Sequence, residues 1–102
     1  MTREFIVRPE AEDDITDAAV WYERQSPGLG WDFTRVVDAC LADVSRTPLR
    51  FPTVRGQARR ALLRRFPFAV IFVVDDRSVR VIACLHARRD PAKWQRRLRG
   101  DR

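Results

Sequence analysis

Three features of this chain predict an α+β domain with the order β-α-α-β-β-β. Phe68 to Val74 is an unbroken run of seven apolar residues, mostly β-branched or aromatic, bounded by Pro67 and by Asp75-Asp76. A run this short is no membrane span; it reads as a strand buried on both faces. The segments flanking it, Ala58 to Arg65 and Val79 to His86, mix apolar residues with arginine, and short turns at Phe66-Pro67 and Asp75 to Ser78 make the three an antiparallel meander. Upstream, two stretches with apolar residues every three or four positions are joined by a cluster of breakers, which predicts a helix hairpin. The expected architecture is that hairpin packed on one face of a small, mainly antiparallel sheet, followed by a short basic C-terminal helix or tail. With 102 residues, 1–102 form a single domain with one modest core.

Each element has its own signal. Glu4 to Arg8 is a short first strand, ended by Pro9, which suits a first helical position. Glu10, Glu12, Asp13 and Asp14 follow, carboxylates that favour the positive end of a helix dipole. Ala11, Ile15, Ala18 or Ala19, and Tyr22 form the apolar stripe, and the helix stops near Gln25 at Ser26-Pro27-Gly28-Leu29-Gly30. A second helix runs from about Trp31 to Arg46 with Phe33, Val37, Cys40, Leu41 and Val44 as its stripe, and Thr47-Pro48 stops it. Trp21, Trp31 and Phe33 read as hairpin core. Leu49 to Gln57 is a connector whose Leu49 and Phe51 tuck against the helix ends. In the last strand, Val79, Val81, Ala83 and Leu85 share one face, and Arg80, Ile82, Cys84 and His86 the other. Asp90 is a good N-cap and Pro91 a good first residue for a terminal helix carrying Trp94 and Leu98, beyond which Arg99 to Arg102 fray.

Charge is unevenly spread. Met1 to Thr47 holds five arginines against ten carboxylates, a net of −5, whereas Pro48 to Arg102 holds fifteen basic residues against four aspartates, a net of +11. One surface therefore meets something acidic, or the arginines, nineteen against a single lysine, are a solvated face. The charged N-terminus and the absence of a long apolar run predict no signal peptide, no membrane span and a cytoplasmic location. Cys40 and Cys84 sit at apolar positions without CxxC spacing and read as buried thiols. No metal-ligand cluster, Gly-rich phosphate loop or nucleophile elbow is present, so no metal and no cofactor is expected.

The two-faced central strand raises a packing question. A helix hairpin covers one side of a small sheet, leaving open either Phe68, Val70, Phe72 and Val74 or Ala69, Ile71 and Val73. Chains seldom leave such surface wet, so either the tail folds over it or another protein does.

Several pieces in fixed order carry a resemblance. They are Ala11-x3-Ile15 leading to Trp21-Tyr22-Glu23, the elbow Ser26-Pro27-Gly28-Leu29-Gly30-x2-Phe33, Pro48-x2-Phe51-Pro52, Arg60-Ala61-Leu62-Leu63-Arg64-Arg65-Phe66-Pro67-Phe68, and Val79-x-Val81-Ile82-Ala83-x2-His86-x-Arg88-Arg89-Asp90-Pro91-x2-Trp94-x2-Arg97. Together they resemble the RelE/ParE family, the toxins of bacterial type II toxin–antitoxin pairs, and the elbow and the ending look closer to the ParE-like, plasmid-stabilisation branch. The resemblance implies a toxin neutralised by a cognate antitoxin in a hetero-oligomer, and a ParE-like member inhibits DNA gyrase without being an enzyme. The alternative it implies is a RelE-like, ribosome-dependent endoribonuclease acting on mRNA. The sequence departs from the nuclease pattern: its third strand, read as Phe66 to Val74, has no basic residue, Leu49 to Gln57 has no carboxylate, and the only tyrosine is Tyr22.

Candidate residues follow from the resemblance. Arg59, Arg60, Arg64 and Arg65, with Phe68, Val70 and Phe72, would meet the antitoxin, the arginines pairing with carboxylates; alternatively they are solvated edge charges. Arg88, Arg89, Trp94 and Arg97 would meet the target, or Trp94 would pin the tail to the sheet. In a nuclease, His86 would move the proton and Arg65 would hold the phosphate; otherwise His86 is structural.

Overall fold

The computed structural model describes residues 2–88 and 91–101. Strand β1 (Glu4–Val7) leads through Pro9 into helix α1 (Pro9–Gln25), and α2 (Leu29–Arg46) follows after a three-residue corner. One 3-10 turn, Pro48–Arg50, precedes β2 (Thr53–Arg55), β3 (Ala58–Leu62), β4 (Phe68–Val74), β5 (Ser78–His86) and α3 (Pro91–Gly100). The sheet order is β1-β5-β4-β3-β2, antiparallel except for the parallel β1–β5 pair. The α+β class, the helix hairpin, the mainly antiparallel sheet and the terminal helix agree with the sequence reading. The connector differs: Thr53–Arg55 forms a short extra strand against Ala58 and Arg59.

The helix hairpin buries the larger core. Ala11, Ala18, Phe33, Val37 and Val44 meet Ala61, Val70, Phe72, Val79, Val81 and Cys84 of the sheet. Tyr22 stacks on Phe33 at 5.2 Å, and Phe66 and Phe68 stand edge-on to that pair. The second face carries Ala58, Ala69, Ile71, Val73, Ile82 and Ala83, with Trp94 and Leu98 of α3 laid over them. The tail therefore closes the side that the hairpin cannot reach. Burying Ile71, Val73 and Ile82 is worth about 1.5–3 kcal/mol each.

A bulge in β5 corrects the expected alternation. Ile71 pairs with Ala83 but Phe72 pairs with Val81, so Ile82 is an extra residue. Ile82 and Ala83 both fall on the α3 side, and Cys84 returns to the hairpin side. The extra residue leaves one amide and one carbonyl out of the ladder, and side chains satisfy both. The Cys84 amide donates to Asp14 Oδ2 at 3.0 Å, and Arg97 Nη1 donates to the Ile82 carbonyl at 3.0 Å. Arg97 and Asp14 pair with each other at 2.6 and 3.1 Å.

Three further expectations change. Trp21 and Trp31 are 56% and 68% exposed, so of the three aromatics assigned to the hairpin core only Phe33 lies there. Leu49 is exposed while Phe51 packs edge-on against Phe72. The chain does not fray before Asp101, whose side chain is only 4% exposed between Arg8 and Arg80.

Candidate functional site

The sheet divides the predicted arginines between two sides. Residues alternate along β3, so Ala61 points into the hairpin core while Ala58 points to the α3 side. Arg59 is already committed, donating to the Phe51 carbonyl at 2.5 Å and the Leu49 carbonyl at 3.4 Å, which straps the connector to β3. Arg60 lines a cavity of about 130 Å³ with Val54, Ile71, His86, Arg88 and Trp94. Other half-buried arginines are paired: Arg8 and Arg80 with Asp101, Arg97 with Asp14, Arg3 with the Asp75 carbonyl. Arg60 has no partner among the described residues.

Arg64 and Arg65 project from the β3–β4 turn. Arg65 takes φ +69, a left-handed conformation uncommon outside glycine, and its guanidinium lies 5.5 Å from the Phe66 ring and 3.8 Å from Asp32. Val70 and Phe72 are fully buried beneath the hairpin, which removes them as antitoxin contacts: the face they occupy is the one α1 and α2 cover. Phe68 is half-buried at the mouth of a pocket of about 310 Å³ with Trp21, Tyr22, Pro67 and His86.

His86 ends β5 between these two hollows. Its Nδ1 accepts the Arg88 amide at 3.2 Å, which leaves the proton of the neutral ring on Nε2, and Phe68 lies edge-on at 5.8 Å. His86 and Arg65 do not line a common cavity; Arg60 and Arg88 stand nearer to the histidine. Of the expected target contacts, Arg88 is exposed and Arg89 lies outside the described residues, as does the Asp90 cap. Trp94 packs on the second core cluster and Arg97 is held by Asp14. Among the described residues, no group of three or more His, Cys, Asp or Glu is arranged to hold a metal ion.

With β2 present, the third strand along the chain is β3, and it carries Arg59 and Arg60. The strand expected to lack a basic residue is thus the fourth, β4, and it carries none. The sequence reading also treated Asp14 as a helix-dipole carboxylate. Its position three after Ala11 and four before Ala18 put it on the apolar stripe, and that was the available sign of burial.

Burial raises both thiols: Cys84 is pushed up to about 12, and Cys40, further raised by Asp43, to about 11. Neither is a nucleophile near neutral pH.

The α+β fold, a helix hairpin against a mainly antiparallel sheet, is shared with solved chains of ParDE and RelBE2 toxin–antitoxin systems. A chain of the chromosomal ParDE TA system from P. aeruginosa superposes with a TM-score of 0.75 at 13% identity, over 83% of this chain and 96% of that one. A chain of the toxin-antitoxin complex RelBE2 from Mycobacterium tuberculosis gives a TM-score of 0.56 at 21% identity, over 84% of this chain and 99% of that one. At these identities the likeness is one of fold. No family model matches the chain, and no curated protein does. No helix among the described residues is long and apolar enough to cross a membrane.

Proposed function

We propose that this chain is the toxin of a type II toxin–antitoxin pair, held inactive by a cognate antitoxin, and that it acts in the ParE-like manner on DNA gyrase. The observation that carries the reading is the shared fold with the ParDE chain over almost the whole of that chain. The ordered sequence pieces from Ala11 to Arg97 support it. The binder reading is further supported by His86, whose Nδ1 accepts a backbone amide and whose two adjoining hollows are lined by no carboxylate among the described residues. Purified toxin is expected to inhibit gyrase supercoiling at micromolar concentration, and added antitoxin to reverse the inhibition. Gyrase running at full rate in its presence would count against the gyrase target.

A second reading, a ribosome-dependent endoribonuclease, is favoured by one observation: Arg60, His86 and Arg88 line the same cavity, where a phosphate could be held beside a proton carrier. Its signature is toxin-dependent cleavage of translated mRNA by primer extension, abolished by His86→Ala. If His86→Ala leaves toxicity intact, the nuclease reading is lost and the gyrase reading stands.

A further inference from the structure

The sheet has two edges, and the chain defends only one of them. At the far edge β2 is three residues long, follows Pro52, and shifts register against β3 between Thr53 and Arg55. A short, irregular strand beside a proline is a poor template for further pairing. At the other edge β1 is regular. Its four residues hold an unshifted parallel register with β5 and include no proline, glycine or lysine.

The hydrogen bonds of β1 divide by parity. The Glu4 amide donates to the Arg77 carbonyl at 2.8 Å, and the Arg8 amide to the Val81 carbonyl at 2.9 Å. Glu4, Ile6 and Arg8 thus turn their backbone groups to β5. Phe5 and Val7 turn theirs outward, where nothing among the described residues pairs with them. The side chains of Phe5 and Val7 pack on the hairpin-side core. Those of Glu4 and Ile6 stand on the opposite face, Glu4 exposed and Ile6 in neither core cluster, with Arg8 beside them reaching Asp101.

We infer that β1 is a self-association edge, at which two copies of this chain join β1 to β1 in antiparallel orientation and continue one sheet into the other. Self-pairing here is independent of the toxin–antitoxin reading. The strand's own sequence selects a second copy as the occupant. A two-fold axis through Ile6 sets Phe5 opposite Val7 of the second copy, and these are the residues whose outward amides and carbonyls are free to exchange both N–H···O bonds. Ile6 then meets Ile6 of the second copy in a closely spaced, non-hydrogen-bonded pair. At both ends Glu4 falls opposite Arg8, a carboxylate against a guanidinium. Glu4 has no partner among the described residues, and Arg8 spends one Nη on Asp101 and keeps donors to spare. Neighbouring registers lose this match. Centring on Phe5 opposes Glu4 to Ile6, and centring on Val7 opposes Phe5 to Pro9, which has no amide to give.

Sedimentation velocity of the purified chain, from about 1 to 300 μM, should show a monomer–dimer equilibrium with Kd of about 100 μM or tighter. Glu4→Arg sets like charges opposite each other at both ends and should raise Kd by about tenfold, as should Arg8→Glu. An equimolar mixture of the two variants matches every pair again and should return Kd to within about threefold of wild type. Ile6→Cys, oxidised with copper phenanthroline, should link into covalent dimers, because its two copies stand about 4.5 Å apart at Cα. Wild type, with Cys40 and Cys84 alone, and Glu4→Cys should not link. A chain that stays monomeric throughout overturns the inference. So does a dimer that tolerates Glu4→Arg, is not restored by mixing, or fails to link through Ile6→Cys. Should Arg8→Glu fail to fold for want of its contact with Asp101, the Ile6→Cys link replaces the mixing experiment and decides alone.

Discussion

At Gly30 the backbone of α2 lies directly against α1. A Cβ there would run into the Ala19 carbonyl and lie 3.0 Å from Glu23 Cβ. The same approach lets Glu23 cap α2: its carboxylate accepts the Gly28 amide at 2.9 Å and the Gly30 amide at 3.0 Å, satisfying donors that a helix start leaves free. Gly28, at φ +89, supplies the backbone turn that aims those amides at Glu23. Gly30→Ala is therefore expected to cost about 1–3 kcal/mol by overpacking, read as a lower urea midpoint with an unchanged m-value. Acid sensitivity also belongs at this scale. Burial pushes the Asp101 carboxyl up, but hydrogen bonds from Arg80 and Arg8 outweigh that and hold it below the ordinary range. The Arg77 amide, with Arg80 next, draws exposed Asp75 down to about 2. A carboxylate with a depressed folded pKa contributes stability that is complete above its unfolded value, about 4, and is lost as pH falls through the folded one. The unfolding midpoint should thus decline below about pH 4, and Asp101→Asn should flatten that decline; an identical slope in the variant would remove Asp101 as its source.

At the scale of elements, the β5 bulge decides which faces meet which layers. Composition and period gave the helix hairpin, the meander and the terminal helix, because those signals are local: apolar spacing, Pro9, the Ser26–Gly30 breakers and the run from Phe68. Strict period-two alternation then assigned Ala83 and Cys84 to the wrong sides, because a bulge has no signal within its own strand. It is specified by partners far away in sequence, Asp14 on α1 and Arg97 on α3. The candidate site was less legible for the same reason. Arg59 and Arg97 look like free cations in a string of letters, and only the fold spends them on carbonyls and on Asp14. This makes the Asp14–Arg97 pair unlike an ordinary buried ion pair. Asp14→Asn leaves Arg97 uncompensated and is expected to cost about 3 kcal/mol. Replacing both residues by apolar ones usually restores stability at such a site. Here the Asp14→Leu, Arg97→Met double variant should stay at least about 1 kcal/mol below wild type, because the Cys84 amide and Ile82 carbonyl lose their partners. Recovery to wild-type stability in chemical unfolding would show that the bulge satisfies itself.

On the scale of the whole molecule, the sheet is closed from both sides, but unequally. The hairpin contributes residues that are fully buried, Ala11, Phe33, Val37 and Val44 among them, whereas α3 buries none of its residues fully and relies on half-buried Trp94 and Leu98. What α3 lacks in burial it makes up in ion pairs, Arg97 with Asp14 and Asp101 with Arg8 and Arg80, which lie near its C-terminal end. The second sheet face, which the sequence left to either the tail or another protein, is thus covered from within by α3. A cover held chiefly by charge at one end should open more readily than the strands it covers. Native-state amide exchange is expected to show Trp94 to Leu98 exchanging through a partial opening, at lower free energy than Ile71 to Val73 and Val81, whose protection should follow global unfolding. Because the clamps are ionic and only partly shielded, added salt should narrow the protection of α3 while leaving β4 and β5 unchanged. Equal protection in both, with the same response to denaturant, would mean that α3 and the sheet unfold as one unit and that the second face is closed as firmly as the first.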